Sequence, residues 1–247
     1  MVIVRSVKIK ETVLRGLSMK ATQECLKDMA VFSRMEKDEI EMICKNSNVK
    51  SYEKNEIIFF EEDDSRNLYL LVNGQVKLTM LSPDGKEKVL TILQEGDLFG
   101  EISLFDHNPH PVTAEVQKKA RLLTLPFNQL EKMIIEKPQL ALKIIEALSK
   151  KTRLLTSQVR DLVFHDAAER MASLLLRFGK DFGREEDGRT KIDLILTHQE
   201  IANLLGVSRV TVTKTINKLI DENLITIEDK NIIILDKKGL SKIVNEI

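Results

Sequence analysis

The apolar residues of this chain change their spacing once, near Phe127, and that change limits the folds open to the chain. Over residues 50–126, short apolar runs alternate with turn residues at regular intervals. That pattern is typical of a β-sandwich or jelly roll. Strands are predicted over residues 56–60, 68–72, 75–80 and 88–93.

Three groups of turn residues separate these predicted strands. They are Asn73-Gly74, Pro83-Asp84-Gly85 and Glu95-Gly96-Asp97. Asn-Gly is the strongest short hairpin signal, because both central residues of the favoured turn need a positive φ. We therefore expect a tight hairpin between residues 68–72 and 75–80.

Beyond Phe127 the spacing becomes helical. No glycine occurs before Ala172, and the single proline, Pro138, lies where a short helix can end and a longer one begin. The apolar residues that follow recur every three, four or seven positions, which places them on one stripe of a long helix. This stripe predicts a coiled-coil dimer interface, with an intramolecular core helix as the alternative. The predicted interface residues are Ile144, Leu148, Leu155, Val159 and Leu162.

Residues 196–219 predict two capped helices joined by a tight turn. Thr197 with Glu200 forms a capping box, Gly206 supplies the left-handed turn residue, and Ser208 caps the second helix. One face of the pair is apolar, through Ile201, Leu204, Leu205, Val212, Ile216 and Leu219. The pattern is typical of a helix-turn-helix, whose second helix enters the major groove of DNA, while a plain helical hairpin is the alternative.

Positive charge is local in this chain. Lys and Arg total 38, equal to Asp and Glu, so affinity for DNA must come from one basic surface. Residues 196–220 contain three cationic side chains and one acidic one, so this segment is the candidate for the basic surface. The predicted DNA-binding residues are Thr197, Gln199, Ser208, Arg209, Val210, Thr211, Thr213 and Lys214.

The segments on either side of the two capped helices differ from each other. Residues 179–190 mix three glycines with charged residues and predict an exposed loop. Residues 224–227 and 231–235 predict a small hairpin that would give the helix-turn-helix a wing. Lys230, at the predicted tip, is either a phosphate contact or an ordinary solvated lysine.

The order of these parts resembles the CRP/FNR family of bacterial transcription regulators. The resemblance covers residues 26–235 and is carried by residues 56–59, 68–77, 96–105, 164–170 and 196–219. It implies an α+β protein with an N-terminal jelly-roll domain like those that bind cyclic nucleotides, a long dimerisation helix and a C-terminal winged helix-turn-helix domain. The implied parts are an extension (1–25), a β-roll sensing domain (26–135), a dimerisation helix with hinge (136–165) and the DNA-binding domain (166–247).

The resemblance also implies a function. Members act as homodimers on roughly palindromic double-stranded DNA under allosteric control by a small effector, and RNA polymerase is a candidate partner. Arg209 is placed to pair with guanine, and Lys214 with guanine or phosphate. Val210 stands where the family often has glutamate, so the operator should differ there, towards a thymine methyl group.

The expected effector is not a cyclic nucleotide. Nucleotide-binding members have Gly-Glu followed, about ten residues on, by a cassette whose arginine binds the cyclic phosphate. Here Gly100-Glu101 is present, but the cassette has His110 and Pro111, which removes a guanidinium and a backbone donor. Cyclic-nucleotide control and redox or haem sensing remain alternatives. The candidate effector-binding residues are Gly100, Glu101, His110, Thr113, Leu155 and Thr156.

Other classes of site lack support. Cys25 and Cys44 are too few for an iron–sulfur cluster and are expected to be free thiols, with a regulatory disulfide as the alternative. Cys44 stands among apolar residues, which favours an inert thiol. His107 and His110 are expected to be loop residues, so no metal site is predicted, and the cofactor is left unassigned apart from the expected small effector.

Two broader classes are also disfavoured. No nucleotide-binding loop, zinc-protease or nucleophile-elbow motif occurs, so we do not expect an enzyme. Apolar runs are far shorter than the roughly 20 residues of a membrane span, and residues 1–16 lack the apolar stretch of a secretory signal. We therefore expect a cytoplasmic protein with no membrane contact, and we assign no role to residues 1–20.

Overall fold

The computed structural model describes residues 37–245. They form two compact units. The N-terminal unit contains the described residues up to Met80 together with Leu90–Leu148, and the C-terminal unit contains Leu81–Val89 and the residues from Ser149 onward. The predicted extension at residues 1–25, with Cys25, lies outside the described residues.

Six strands of the N-terminal half form one sheet. They are β1 (Asn48–Tyr52), β2 (Ile57–Phe59), β3 (Asn67–Leu81), β4 (Glu87–Leu93), β5 (Leu98–Phe99) and β6 (Thr113–Pro126). The sheet follows the order β1-β6-β3-β4, with β2 paired to β6 and β5 paired to β3. β6 is therefore central, and it runs antiparallel to β1, β2 and β3. The predicted β-domain is confirmed.

The two faces of this sheet carry different cores, because successive residues of a strand point to opposite sides. On one side Tyr69 and Leu71 pack with Phe59 and Phe99, and the rings of Tyr69 and Phe99 stack with centroids 5.1 Å apart. On the other side Leu70 packs into a separate cluster. Because of this alternation, one face of the sheet carries a core with aromatic residues, and the other face carries an aliphatic cluster.

Helices cover the aliphatic side. α1 (Lys37–Asn46) brings Ile40 and Cys44 against the sheet, and α2 (Glu101–Asp106) is a short helix after β5. α3 (Phe127–Glu136) follows β6 directly, and α4 (Gln139–Phe164) begins after Pro138 and spans 26 residues. The predicted short and long helices on the two sides of that proline are both confirmed.

The predicted hairpin at Asn73-Gly74 is wrong. β3 runs through both residues without turning, and only Gly74 has a positive φ. The pairing of β3 with β6 shifts register around these residues, and a Cβ atom on Gly74 would lie 2.3 Å from the carbonyl oxygen of Lys119. Glycine is therefore needed for a close approach of two strands at a bulge, not for a turn.

The C-terminal unit combines packed helices with a small antiparallel sheet. Its elements are α5 (Ala167–Asp181), β7 (Gly183–Glu186), β8 (Arg189–Ile192), α6 (His198–Leu205), α7 (Arg209–Asp221), β9 (Ile225–Glu228), β10 (Asn231–Ile234) and α8 (Lys237–Asn245). The strand order is β7-β8-β10-β9. Across residues 37–245, no helix has both the length and the apolar character that crossing a bilayer requires.

The predicted loop at residues 179–190 is instead a helix end and a hairpin, although residues 184–189 are exposed as predicted. α5 continues to Asp181, and β7 and β8 form a hairpin across Asp187-Gly188, two residues with positive φ. Asp-Gly favours a hairpin turn. The many charged residues beside it were interpreted as a loop instead. The second predicted hairpin is confirmed, because β9 and β10 turn at Asp229-Lys230.

Candidate DNA interface and effector site

The predicted caps of the helix-turn-helix are present. The Thr197 hydroxyl accepts from the backbone N–H of Glu200, and the Glu200 carboxylate accepts from the backbone N–H of Thr197, at 3.2 and 2.6 Å. Gly206 ends α6 in the left-handed conformation, and the Ser208 hydroxyl accepts from the backbone N–H of Thr211 at 3.0 Å. Each cap satisfies helix N–H groups that have no partner within the helix.

The inner face of the α6–α7 pair is buried as predicted. It consists of Ile201, Leu204, Leu205, Val212, Ile216 and Leu219. The C-terminal end of α6 is also held by α5, because the Arg170 guanidinium donates to the carbonyl oxygen of Leu205 at 3.1 Å. The orientation of α7 within its own unit is therefore fixed by packing and by hydrogen bonds at the turn.

The outer face of α7 is open to solvent. Arg209 and Lys214 are exposed, and Val210 is 63% exposed, so its methyl groups are accessible to a partner. Thr211 and Thr213 are half-buried. Cations together with an accessible branched side chain suit a surface that meets phosphates and base edges.

The start of α6 adds to this surface. Thr197, Gln199 and Arg209 line one shallow depression together with His198. The His198 imidazole lies 2.8 Å from the Thr213 hydroxyl, which donates to the carbonyl oxygen of Arg209 at 3.1 Å. Sequence reasoning missed His198, although its place between two predicted contact residues in the first turn of α6 could have pointed to it.

The wing is held by packing. Ile225 and Ile234 are buried, whereas Ile227 is 42% exposed, so only some of the apolar residues of the hairpin pack inward. Lys230 is exposed at the hairpin tip. Its predicted contact with phosphate stays a prediction.

Four candidate effector residues lie in the N-terminal unit. Gly100 has φ +82°, and a Cβ atom there would lie 2.6 Å from the carbonyl oxygen of Asn67, so glycine is required. Glu101 is buried in the first turn of α2. The Thr113 hydroxyl accepts from the backbone N–H of Glu61 at 3.0 Å. These contacts are internal to the sheet and its loops.

The fourth residue, His110, belongs to the aromatic interior. It is 2% exposed, and its ring nitrogens lie 2.6 Å from the Ser103 hydroxyl and 2.8 Å from the Ser65 hydroxyl. Burial lowers the pKa of His110, while the carboxylates of Asp63, Glu101 and Asp64 act in the opposite direction. His110 does lie in a loop, as predicted, but its side chain turns inward and is buried.

Leu155 and Thr156 lie on α4 in the C-terminal unit. Leu155 is exposed, and the Thr156 hydroxyl donates to the carbonyl oxygen of Thr152 within its own helix at 2.9 Å. Their part in effector binding stays a prediction.

Comparison with known proteins places these features in a family. Residues 49–137 match the cyclic nucleotide-binding domain, and residues 169–243 match the Crp-like helix-turn-helix domain. A CRP-like cAMP-activated global transcriptional regulator of Mycobacterium tuberculosis is 30% identical over 219 residues, which cover 89% of this chain and 98% of that protein. The chain belongs to the CRP/FNR family of transcription regulators.

Other CRP/FNR relatives carry different names. A global nitrogen regulator of Synechococcus elongatus is 33% identical, with 78% of this chain and 88% of that protein covered. The crystal structure of a CRP/FNR-family transcriptional regulator of Thermus thermophilus is 27% identical, with a TM-score of 0.67 over 80% of this chain and 98% of that one. The family fold of a β-rich sensing domain, long helices and a helix-turn-helix is therefore shown.

The long helix of this CRP/FNR chain has two kinds of apolar residue. Ile144 is buried and Leu148 half-buried, and both pack with Leu130 and Met133 of α3. Leu155, Val159 and Leu162 of the predicted interface are exposed instead. Leu142, Ile145 and Val163 are further exposed apolar residues of α4.

Metal and thiol chemistry find little support. Within residues 37–245, no group of three His, Cys, Asp or Glu side chains is placed to hold a metal ion. Cys44 is a free, fully buried thiol, and burial together with the charge of Glu41 raises its pKa to about 11. A thiol that stays protonated at neutral pH is a poor nucleophile, as the sequence predicted for this residue.

Proposed function

We propose that this CRP/FNR chain is a sequence-specific DNA-binding regulator that works as a homodimer on a palindromic operator. The observation that carries the proposal is the capped α6–α7 pair, with a buried apolar face and an outer face of Arg209, Val210 and Lys214. In this motif the first residues of the second helix reach base edges in the major groove. Val210 would favour a thymine methyl group at the base pair that it faces.

Exposed apolar residues on α4 support the homodimer. Val159 is 60% exposed and Leu155 and Leu162 are each 47% exposed, which a lone helix would leave in contact with water. A second copy of the same helix buries such a stripe in a coiled-coil contact. Ile144 and Leu148 already pack within the protomer. The proposed interface therefore consists of the exposed apolar residues of α4: Leu142, Ile145, Leu155, Val159, Leu162 and Val163.

The proposed regulation is by a small effector other than a cyclic nucleotide. A cyclic phosphate is an anion, and the carboxylates of Asp63 and Asp64 act electrostatically on His110. The site that would need an arginine thus has a neutral, buried ring amid acids. The Mycobacterium tuberculosis relative is named for activation by cAMP, so cyclic-nucleotide control is the alternative to test. A transcription regulator of this kind would act in the cytoplasm, and RNA polymerase is a candidate partner.

Selection of DNA by the purified full chain tests the proposal. A random double-stranded library is enriched through several rounds, with and without the small-molecule fraction of a bacterial extract so that a need for effector does not hide binding. We expect an inverted repeat whose half-sites lie one helical turn, or about 34–36 Å, apart or at a multiple of it. Enrichment of no sequence under both conditions would contradict the proposed function.

A further inference from the structure

The junction between the long helix and the DNA-binding helices is very short. α4 ends at Phe164 and α5 begins at Ala167, so only His165 and Asp166 lie between them. Asp166 is fixed, because its carboxylate accepts from the backbone N–H groups of Ala168 and Glu169 at 2.7 and 2.9 Å. The angle between α4 and α5 must therefore be set by contacts around His165.

Asp161, in the last turn of α4, lies at an unfavourable place for a carboxylate. The carbonyl ends of a helix carry partial negative charge, and Asp161 is only 8% exposed. A buried charge is costly unless other groups compensate it. The side chain must therefore gain something from its surroundings.

The hydrogen bond that Asp161 accepts comes from across the junction. The Ser173 hydroxyl of α5 donates to Asp161 Oδ2 at 2.8 Å. The His165 Nδ1 atom lies 3.3 Å from Asp161 Oδ1, and the two atoms are buried beside each other without forming a hydrogen bond. Arg177, one turn after Ser173 on the same face of α5, is half-buried and interacts with the charges of Asp161 and Asp181.

We propose that Asp161 is a positioning residue that clamps the end of α4 to α5 and so sets the direction in which the DNA-binding helices leave the dimerisation helix. The carboxylate accepts a hydrogen bond from Ser173 of α5, lies beside His165, and interacts electrostatically with Arg177. The inference rests on the proposed function, because the clamp matters only if two copies of α7 must meet two half-sites. Asp161 influences DNA binding only through the position that it gives to α7.

The clamp has a consequence that separates it from ordinary packing. Two recognition helices fit an inverted repeat only at a matching distance and rotation. A looser angle at the junction lets each α7 search a wider range of positions, while the α7 surface that reads one half-site stays the same. Losing the clamp should therefore relax the preferred spacing of the half-sites and leave the preferred bases unchanged.

The test uses the full chain and its selected inverted repeat. Binding is measured by fluorescence anisotropy on the selected spacing, on spacings changed by one or two base pairs, and on a single half-site. The variants are Asp161→Ala, Asp161→Asn, which keeps an acceptor for Ser173, and Ser173→Ala. Glu131→Gln, an exposed acid on α3, is the matched control, and thermal melting reports whether each variant folds.

We expect Asp161→Ala to lose about tenfold of the discrimination between the selected and the changed spacings, the scale of one hydrogen bond to a charged group. Asp161→Asn and Ser173→Ala should lose less, and all variants should bind the single half-site as the unmodified chain does. Unchanged spacing preference in the folded variants would overturn the inference, as would an equal loss on every spacing and on the half-site. If Asp161→Ala does not fold, Asp161→Asn and Ser173→Ala decide. Failure of the unmodified chain to bind any DNA would instead count against the proposed function.

Discussion

The imidazole of His110 stacks on the ring of Phe59, with centroids 3.7 Å apart and planes 11° from parallel. The ring nitrogens meet the hydroxyls of Ser65 and Ser103, so the whole side chain is used inside the protein. In the family resemblance this position belongs to the arginine that binds a cyclic phosphate. Here the same position strengthens the aromatic interior of the sheet.

Stability should fall in acid because of His110. Burial lowers its pKa below the ordinary 6.5, so between that lowered pKa and pH 6.5 the unfolded chain binds a proton that the folded chain does not. The free energy of unfolding therefore decreases as the pH falls through this window. Urea unfolding from pH 7 to about pH 5 should show a smaller decrease for His110→Gln than for the unmodified chain. His107→Gln, at an exposed histidine, should keep the original decrease; equal slopes for all three would contradict the assignment.

Cyclic AMP should not stabilise the folded protein. A ligand that binds only the folded state adds about 2.7 kcal/mol at a hundred times its Kd, which a thermal-shift assay detects readily. Cyclic AMP and cyclic GMP should leave the Tm unchanged, and screening metabolites, haem and metal ions should identify a compound that raises it. Calorimetry then gives its affinity. Micromolar binding of cyclic AMP would mean that the acids around His110 do not exclude a cyclic phosphate.

The dimer should depend on the exposed apolar residues of α4. Val159→Asp would place a charge opposite the same charge of the second copy in an apolar contact, at a cost of several kcal/mol. Sedimentation velocity should show monomers at concentrations where the unmodified chain is dimeric. Ile135→Asp is the matched control, because Ile135 is an exposed apolar residue on α3. A dimer that survives Val159→Asp, or that Ile135→Asp also breaks, would place the interface elsewhere.

Cys44 should be unreactive in the folded protein. Its thiol is buried and its pKa is raised to about 11. A reagent therefore cannot reach the thiol, and little of it is in the reactive thiolate form at neutral pH. In a Cys25→Ser variant, a thiol reagent such as dithionitrobenzoate should label nothing in native buffer and one thiol in denaturant. Rapid labelling of the native variant would show that Cys44 is accessible and would reopen a redox role.

Local signals explain how much of the fold the sequence could predict. The caps at Thr197 and Ser208 and the turn at Gly206 involve residues within one or two helical turns, so their spacing alone determines them. The hairpin predicted at Asn73-Gly74 was wrong because the contact that requires glycine there is not local. The need for Gly74 comes from the backbone near Lys119 on a neighbouring strand, which no local pattern reveals.

The candidate site divides in the same way. Sequence placed Arg209, Val210 and Lys214 on one outer face because helical spacing fixes which residues share a face. The environment of His110 depends on Ser65, 45 residues earlier, and the clamp at Asp161 depends on Ser173 across a helix junction. Such contacts exist only once the chain has folded, so residue type and spacing could not have predicted them.

The most direct test of the proposed function is the base preference of an Arg209→Ala variant. Binding of the unmodified and variant chains is measured on the selected operator, on operators with each base pair of a half-site changed in turn, and on random DNA; Lys230→Ala is the control for a charge at the wing. We predict that Arg209→Ala costs about 1–3 kcal/mol on the selected operator and no longer distinguishes the bases at one position of each half-site. An equal loss on every sequence, random DNA included, would make Arg209 a phosphate contact and contradict the assignment of α7 as the helix that reads the operator.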